Sequence, residues 1–254
     1  MREIRYVKIH EIAYPVVLSD ETEALLKAKA DGKASVGLWH REQEAGSKQD
    51  LSSAAYLVER LEDADSCFLE RVVRRHLGLP WKITETERVL VREFTAEDAE
   101  RVPKESGDRE ADALFYQKER LREYIRCQYG FYEWGIWALE EKMSGRLIGK
   151  AGLTPMESES FSGVSMELGY HIFQSYRQMG LAVEVCTGIL NYAAEMFEEP
   201  LWVYAEIDAS NEASIRVVQK LGFKRIEKKY SQEKPGFVLY GLYLPKEPDK
   251  RVSW

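Results

Sequence analysis

Several kinds of site are excluded by what this chain lacks. Its 254 residues hold three cysteines, Cys67, Cys127 and Cys186, which are odd in number and far apart, with no Cys-x-x-Cys pair. Neither a disulfide framework nor a zinc site fits that spacing, so reduced thiols and no bound metal are expected. No run of 18 apolar residues could cross a membrane, and the charged start Met1–Arg5 does not resemble a signal peptide. The sequence predicts a cytoplasmic protein without a membrane partner.

Excess basic charge and nucleophile motifs are missing as well. The formal net charge is −7, and because phosphate binding usually needs a basic face, nucleic acid is not the expected partner. The chain has four histidines and lacks both a Gly-x-Ser-x-Gly elbow and a Gly-x-Gly-x-x-Gly phosphate loop. A covalent enzyme intermediate is therefore not indicated. With 44% apolar and 31% charged residues, the composition is that of an ordinary globular protein.

The pattern of apolar runs divides the chain into residues 1–84 and 85–254. In the first part, Tyr14–Leu18 and Ala34–Trp39 read as strands on either side of a helix, Glu21–Ala30, which is the length of a βαβ crossover. Ser19 or Asp20 is expected to cap that helix. A further strand and a further helix are expected at Ala54–Leu57 and Asp65–Leu77.

The second part alternates strands and helices. Strands are expected at Arg88–Arg92, Gly135–Glu140, Leu147–Leu153, Met166–Phe173, Leu201–Ile207, Phe223–Lys228 and Phe237–Leu244. Helices are expected at Ala96–Val102, at Ala111–Tyr129, from Leu181 onward, and after Asn211. Polar loops are expected at Gln43–Leu51, Pro103–Arg109 and Pro155–Gly163.

One strand-to-helix turn carries the clearest chemical signal. The strand ending at Phe173 leads through Gln174–Arg177 into Gly180-Leu-Ala182, where an amphipathic helix begins. A helix that starts this way presents free backbone N–H groups at the positive end of its dipole. That arrangement is an anion site, and a pyrophosphate is a natural ligand for it.

Two motifs together resemble the GNAT superfamily of N-acetyltransferases. Arg177-x-x-Gly180-x-Ala182 is similar to the family's acyl-coenzyme A loop, and Asn211-Glu-Ala-Ser-Ile-Arg-Val-Val-Gln-Lys-Leu-Gly-Phe223 is similar to its fourth-helix segment. The resemblance covers residues 85–245 and implies an α+β fold. The implied sheet is mixed and mostly antiparallel, and it is splayed at its middle strands. The first 84 residues then form an extra small α/β unit, vaguely similar to a Rossmann-like or haloacid-dehalogenase-like fragment.

The resemblance also implies a co-substrate, acetyl-coenzyme A, and a set of residues to hold it. These residues are His171, Ile172, Phe173, Arg177, Gln178, Met179, Gly180, Leu181, Ala182 and Asn211. Many family members have glycine at the position of Gln178. Asn211 is expected to cap its helix, with Ser210 as the alternative, and to contact the pantetheine arm.

The catalytic residues implied are Glu167 and Tyr170. Glu167 is the first candidate for the base that takes the amine's proton, directly or through water, and a salt-bridged strand carboxylate is the alternative reading. His171 is a second candidate for this base. The family's tyrosine acid would fall at Val218, so Tyr170, Tyr176 or Tyr204 is expected to substitute for it, unless solvent protonates the thiolate. A backbone N–H near Ile172 is the implied oxyanion donor.

The acceptor is a primary amine on a small molecule or peptide, and the sequence does not identify it. Glu-Leu-Gly-Tyr170 resembles the ribosomal-protein N-terminal acetyltransferase branch, while the acidic charge suits a polyamine or an aminoglycoside. Aromatic residues expected near the acceptor are Phe115, Tyr116, Tyr124, Trp134, Phe161 and Tyr240. Two rival hypotheses are a coenzyme-sensing module without turnover and an independent enzyme in residues 1–84. Both a monomer and a homodimer agree with the sequence.

Overall fold

The chain folds into two compact units in a computed structural model that describes residues 2–40, 50–105, 110–156, 164–226 and 236–246. The first unit contains residues 1–81 and 122–133, and the second contains residues 82–121 and 134–254. Across these described ranges, no helix is long and apolar enough to cross a bilayer. The same ranges contain no group of three or more His, Cys, Asp or Glu side chains that could hold a metal. A domain boundary at residues 84 and 85 stays a prediction.

The first unit is a four-stranded α/β sheet in the order β1-β2-β3-β4. Its elements are β1 (Arg2–Ile9), β2 (Ile12–Ser19), α1 (Thr22–Ala30), β3 (Ala34–Leu38), β4 (Tyr56–Val58), a 3₁₀ turn (Leu61–Asp63), α2 (Ser66–His76) and a π-helical segment (Ile125–Tyr132). β1 is antiparallel to β2, whereas β2, β3 and β4 are mutually parallel. The predicted βαβ crossover is therefore confirmed.

β1 was not expected from the sequence because its polarity is inverted. Ile4 and Tyr6 are exposed, while Arg5 lies on the half-buried side and donates hydrogen bonds to the carbonyl oxygens of Leu61 and Ala64. A strand is normally recognised by apolar residues that alternate toward the core. Here a charged side chain takes the inner position because its guanidinium finds carbonyl partners.

The two helices of the first unit differ in how well their caps were predicted. Asp65 caps α2, accepting a hydrogen bond from the Phe68 N–H at 2.7 Å, and that helix is confirmed. The expectation that Ser19 or Asp20 caps α1 is wrong, since the N-cap residue is Glu21. The Ser19 hydroxyl instead accepts a hydrogen bond from the Glu21 N–H at 3.1 Å. It therefore orders the turn before the helix.

The second unit is built on an eight-stranded sheet in the order β11-β12-β10-β9-β8-β7-β6-β5. Its strands are β5 (Lys82–Glu85), β6 (Val89–Arg92), β7 (Ile136–Glu141), β8 (Leu147–Pro155), β9 (Val164–Ile172), β10 (Leu201–Asp208), β11 (Lys224–Arg225) and β12 (Phe237–Leu244). Its main helices are α4 (Leu181–Met196) and α5 (Glu212–Lys220); shorter pieces are Ala96–Glu100, Glu110–Tyr116, Gln174–Tyr176 and α3 (Lys118–Tyr124). Only the β9–β10 pair is parallel among these described strands. This mixed, mostly antiparallel α+β sheet is the predicted one.

The helical elements cover opposite faces of this sheet. Tyr170 hydrogen-bonds to α5 and Trp137 packs edge-to-face on Tyr192 of α4, so α4 and α5 lie on one face. Successive strand residues point to opposite faces, and Lys150 lies with its Nζ 4.2 Å from the ring centre of Phe115. The 3₁₀ turns Ala96–Glu100 and Glu110–Tyr116 therefore lie on the other face, which we call the acceptor face.

The single helix expected over Ala111–Tyr129 is wrong. The segment breaks into the 3₁₀ turn, α3 and the π-helical segment, with Gln117 between the first two. Phe115, rather than Leu114, is buried, and its ring lies 5.2 Å from that of Phe94. The spacing of apolar residues predicted one continuous helix, but the packing of Phe115 against Phe94 turns the segment so that a different side is buried.

Several smaller differences concern strands and loops. β5 was not expected, and the strand expected at Phe223–Lys228 is limited to β11, with Glu227 and Lys228 outside the described residues. Most of the loops expected at Gln43–Leu51, Pro103–Arg109 and Pro155–Gly163 also lies outside those residues. The first unit has a cavity of about 540 Å³ beside β1 and α2, and none of the predicted site residues lines it.

Candidate functional site

The predicted anion loop has the backbone geometry of an amide cradle. Gln174–Tyr176 forms a 3₁₀ turn, and α4 begins at Leu181 with Gly180 as its N-cap residue at φ 78°. Gln178 also has a positive φ, 65°. These two left-handed residues, Gln178 and Gly180, lie within the five residues Gln178–Ala182. They turn the chain so that its successive N–H groups face the same side. The first N–H groups of the 16-residue helix α4 add to that side, because they lack intrahelical partners.

The conformation of Gln178 explains why glycine is common at this position in the family. A residue with a side chain pays a steric cost in the left-handed region, whereas glycine does not. This chain keeps the loop conformation with a glutamine, since Gly180 supplies the second left-handed position. The predicted role of Gly180 in the turn is confirmed, and the contact of the loop with a phosphate stays a prediction.

Arg88 lies outside this loop but contacts it, and sequence reasoning did not identify it. Its guanidinium donates to the Met179 carbonyl oxygen at 3.1 Å and to Glu184, in the first turn of α4, at 2.7 Å. One guanidinium nitrogen lies 3.8 Å from the point where a Cβ on Gly180 would stand. Arg88 thus holds the loop from the turn between β5 and β6, and no local sequence signal marks it.

Glu184 is held as a carboxylate by the same contacts. Burial opposes ionisation, but hydrogen bonds from the Thr86 hydroxyl and the Arg88 N–H and guanidinium lower the pKa of Glu184 below its usual value. A carboxylate in the first helical turn interacts favourably with the helix dipole. Its pairing with Arg88 removes much of the repulsion that it would exert on a bound anion.

The sheet opens between β9 and β10 beside this loop. Residue pairs join the two strands from Leu201↔Val164 to Tyr204↔Glu167, and the described register ends there. β9 nevertheless continues to Ile172, still paired with β8, and the Phe173 N–H donates to the Ile148 carbonyl oxygen. Backbone groups alternate in direction along a strand, so the N–H and C=O of Ile172 and Tyr170 point into the gap. The predicted splay is present.

Glu167 lies at the apex of this gap. It is the last β9 residue paired with β10, opposite Tyr204, and it faces Thr154 of β8 on its other side. Its side chain is half-buried. By strand alternation Glu167 and His171 share the acceptor face, and Gly169 lies between them. The side chain of Ile136 fills the space over Gly169, with 3.0 Å between its Cδ1 and a Cβ built there.

Tyr170 points to the opposite face, toward α5. Its hydroxyl donates to the Ser214 carbonyl oxygen at 3.0 Å. Asn211 caps α5 as predicted, because its Oδ1 accepts a hydrogen bond from the Ser214 N–H at 3.1 Å. The competing residue Ser210 is instead bonded to Asp208. Tyr170 and Asn211 therefore meet at the start of α5.

Burial raises the pKa of Tyr170 to about 12. The phenol is consequently neutral at pH 7, a state in which it can donate a proton but cannot act as a base. Val218, where the family resemblance places a tyrosine, is fully buried in the core. That position offers no polar group to the gap.

A charged cluster closes the loop end of β9 on the acceptor face. Glu105 accepts hydrogen bonds from the Gln174 N–H, from His171 Nε2 at 2.8 Å and from Arg177 at 3.0 Å. Burial of Glu105 opposes its ionisation, yet these donors and the positive charge of Arg177 lower the pKa of its carboxyl. Sequence analysis missed Glu105 because it lies 66 residues before His171 in a loop with no regular pattern.

Arg177 was expected to lie near the phosphates, and its side chain is turned toward the strand end. Its Nε donates to the Ile172 carbonyl oxygen at 2.9 Å, and its terminal nitrogen donates to Glu105. The guanidinium is half exposed. Arg177 thus fixes the path of the loop as it leaves β9, and its contact with a phosphate stays a prediction.

The aromatic residues expected near the acceptor are dispersed. Trp134 stacks on Phe197 with ring centres 4.8 Å apart and also contacts Tyr192 of α4, so it belongs to the core beneath α4. Phe115 and Tyr240 are buried. Tyr124 packs on Tyr129 in the π-helical segment, Tyr116 lies under Lys104, and Phe161 is outside the described residues.

Comparison with known proteins identifies the family of the second unit. Residues 88–224 match the family model described as "Acetyltransferase (GNAT) domain". A curated relative, "Uncharacterized protein YkkB" of Bacillus subtilis (strain 168), is 32% identical over 111 residues. That match covers 41% of this chain and 61% of the relative, so the chain spans about three fifths of the relative's length.

Solved structures are similar at lower identity. A putative GnaT-family acetyltransferase from Bordetella pertussis is 20% identical, with a TM-score of 0.49, covering 62% of this chain and 96% of that one. The ribosomal-protein-S5-alanine acetyltransferase from Vibrio fischeri is 17% identical, with a TM-score of 0.48, covering 67% of this chain and 100% of that one.

Proposed function

The chain belongs to the GNAT acetyltransferase family, and from that premise we propose that it transfers an acetyl group from acetyl-coenzyme A to a primary amine. The observation that carries the proposal is the gap between β9 and β10 with the amide loop at its end. In an acyl carrier, a diphosphate would match the amide loop, and an amide-containing arm would match the gap between the strands. The family match covers just over half of the 254 residues, and the gap and the loop lie inside it.

The coenzyme would be held mainly by backbone groups. Its diphosphate would accept hydrogen bonds from the N–H groups of Gln178–Ala182 at the positive end of α4. Within the predicted segment His171–Phe173, its pantetheine amides would pair with the backbone of Ile172, which faces the gap, and with the Asn211 side chain, whose amide NH₂ is not used in capping. Support for this placement is that Ile172 presents backbone groups to a gap that β10 does not fill.

Chemistry in this site needs positioning more than activation, since a thioester is already reactive. The amine nitrogen attacks the carbonyl carbon and forms a C–N bond, and the C–S bond breaks to release the thiolate. The Ile172 N–H is the proposed donor to the oxyanion. Glu167, acting through water, and His171 are the two candidate proton acceptors, and the neutral hydroxyl of Tyr170 is the proposed proton donor to the thiolate.

The acceptor is proposed to be a small-molecule or peptide amine, with neither nucleic acid nor membrane as a partner. The net charge of −7 supports a cationic acceptor. The Glu-Leu-Gly-Tyr170 resemblance supports a peptide N-terminus of the ribosomal-protein type. A cytoplasmic location and a homodimer are further proposals that rest on the sequence.

A second candidate function is coenzyme sensing without turnover. The buried Val218 in place of the family's tyrosine favours it, because the usual acid is missing from α5. Two measurements separate the candidates: calorimetric titration with acetyl-coenzyme A, and thiol release with a panel containing a polyamine, an aminoglycoside and alanine- and serine-headed peptides. Binding with amine-dependent release supports the transferase, and binding without it supports the sensor. No heat at millimolar acetyl-coenzyme A contradicts both.

A further inference from the structure

We propose that His171 takes the proton of the attacking amine and that Glu105 is the positioning residue that holds its imidazole for that step. The inference rests on the proposed acetyl transfer and names a base within the same site. It starts from the ion cluster at the end of β9, where the carboxylate of Glu105 lies 2.8 Å from His171 Nε2.

The two candidate bases, Glu167 and His171, lie at different distances along β9 from Ile172. A β-strand rises about 3.3 Å per residue, so Glu167 lies about 16 Å along β9 from the proposed oxyanion donor Ile172. A carboxylate at that distance reaches the amine only through several waters. His171 is the immediate neighbour of Ile172, and its side chain stands on the acceptor face beside the open gap.

The hydrogen bonds assign the tautomer of the imidazole. The Glu105 carboxylate only accepts hydrogen bonds, so its 2.8 Å contact places the hydrogen of the ring on Nε2, and the longer 3.4 Å approach of the donor-only Arg177 guanidinium to Nε2 is then a charge contact and not a hydrogen bond. In the neutral ring Nδ1 then has the lone pair, and it makes no hydrogen bond within the described part of the chain. The side chain is 34% exposed, which leaves Nδ1 accessible to an acceptor molecule. A carboxylate that orients the far nitrogen of a histidine base is a recurring catalytic arrangement.

Two carboxylates and two cations surround the imidazole of His171. Glu105 faces the ring from the loop before Glu110, and Arg177 approaches Nε2 to 3.4 Å from the coenzyme loop. Lys150 is the cross-strand partner of His171 on β8, and its ammonium is paired with Asp112. Asp112 therefore pairs with Lys150, whereas Glu105 is shared between Arg177 and the imidazole; the Glu105 contact at 2.8 Å favours the imidazolium, and the Arg177 contact at 3.4 Å opposes it.

The step balances without a further reactant. As the amine nitrogen bonds to the thioester carbon, its proton passes to Nδ1 and the imidazole becomes imidazolium. Glu105 stabilises that cation without taking its proton. Collapse of the tetrahedral intermediate then expels the thiolate, and the imidazolium returns its proton to solvent.

The test compares His171→Asn, Glu105→Gln and Glu105→Ala with the wild type, using whichever amine of the panel gives the fastest thiol release. His171→Asn should lower kcat about 100-fold and leave coenzyme affinity within about twofold, because general-base catalysis contributes at least that much. Added imidazole should restore part of the rate in His171→Ala.

Glu105 has a separate signature that does not need an acceptor. Nitrogen-15 chemical shifts should show His171 of the wild type as the Nε2–H tautomer at pH 8. Glu105→Ala should produce a mixture of tautomers and lower kcat about tenfold, and Glu105→Gln should cause a smaller change in both. Glu97→Gln, which removes an exposed carboxylate 3.5 Å from Lys118, is the matched control and should change neither readout.

Three results would overturn the inference. The first is a kcat of His171→Asn within about twofold of the wild-type value, the second is a kcat of Glu105→Ala equal to the wild-type value, and the third is an Nδ1–H tautomer in the wild type. In each case, acetyl transfer by the wild type would leave the proposed function intact. Absence of coenzyme binding by the wild type would remove both proposals together.

Discussion

Glu184 accepts a hydrogen bond from the Arg88 main-chain N–H at 3.0 Å and another from the Arg88 guanidinium at 2.7 Å. The pair joins the start of β6 to the first turn of α4, residues separated by 96 positions. Because the same guanidinium also holds the Met179 carbonyl, one side chain fixes both the helix end and the loop before it. Arg88 therefore shapes the anion site, although it contributes no backbone amide to that site.

Loss of Arg88 should weaken coenzyme binding. Arg88→Gln leaves the Glu184 charge unpaired beside the incoming diphosphate, and we expect the Kd for coenzyme A to rise about tenfold, or about 1.4 kcal/mol. Titration calorimetry at low and high salt checks this, since screening should shrink the difference. Lys142→Gln is the control, because Lys142 pairs with Glu85 at 2.9 Å and does not contact the loop. An equal loss in both variants would indicate a general charge effect instead.

A side chain at Gly180 should block the loop. Gly180→Val forces a β-branched residue into φ 78° and fills the space in front of the amide cradle, so coenzyme affinity should fall at least tenfold. Gly145→Val is the matched control, since Gly145 has φ 64° with nothing within 4 Å of a built Cβ. Both variants should lose similar stability in a thermal melt, and only Gly180→Val should lose affinity. Unchanged affinity would place the diphosphate elsewhere.

Replacing the Tyr170 hydroxyl should affect turnover more than binding. With its pKa raised to about 12, the phenol keeps its proton throughout the neutral range, so the rate should show no titration of this group below pH 10. Tyr170→Phe should lower kcat about tenfold or more with little change in the KM for acetyl-coenzyme A. Tyr204→Phe removes another buried phenol whose pKa is raised to about 12 and should leave kcat near the wild-type value. A fall in stability alone would make Tyr170 a structural residue.

Asp98 should account for part of the acid sensitivity of the second unit. The carboxylate is 1% exposed, and despite burial its hydrogen bonds to Arg92 and the Thr95 N–H lower its pKa. A lowered folded-state pKa gives stability that is present above the unfolded value near pH 4 and is lost as pH falls through the folded value.

Asp98→Asn is therefore expected to cost about 3 kcal/mol at pH 7, since it breaks a buried ion pair. That cost should diminish as pH falls below about 4, because the unfolded chain then binds a proton that the folded protein, with its lowered pKa at Asp98, does not. Urea unfolding at a series of pH values measures the difference. Glu212→Gln, which removes an exposed partner of Arg216, should unfold like the wild type at every pH. A pH-independent cost at Asp98 would contradict the linkage.

Sequence reasoning succeeded where the signal is local. Gly180 was placed at the turn where a helix begins, and it is the N-cap residue of α4 with a positive φ. Asn211 was placed as a cap, and it accepts the Ser214 N–H as a cap does. In each case a few neighbouring residues determine the conformation, so the pattern along the chain was sufficient.

Sequence reasoning did not find residues whose role depends on partners that are distant along the chain. Glu105 lies in a polar loop, and only the fold brings it beside His171 and Arg177. Arg88 likewise acts across 96 residues. The helix expected over Ala111–Tyr129 is interrupted for a related reason. Phe115 packs against Phe94, a contact that the spacing of residues along the chain does not show.

The short seam between β9 and β10 has a practical consequence. Since these strands are joined only from Val164 to Glu167, an acyl carrier lying along the rest of β9 would serve as a temporary ninth strand of the sheet. A carrier present at 100 times its Kd would add about 2.7 kcal/mol of stability to the unit. Melting curves recorded with different thioesters can thus rank the donors this protein accepts before any amine is known.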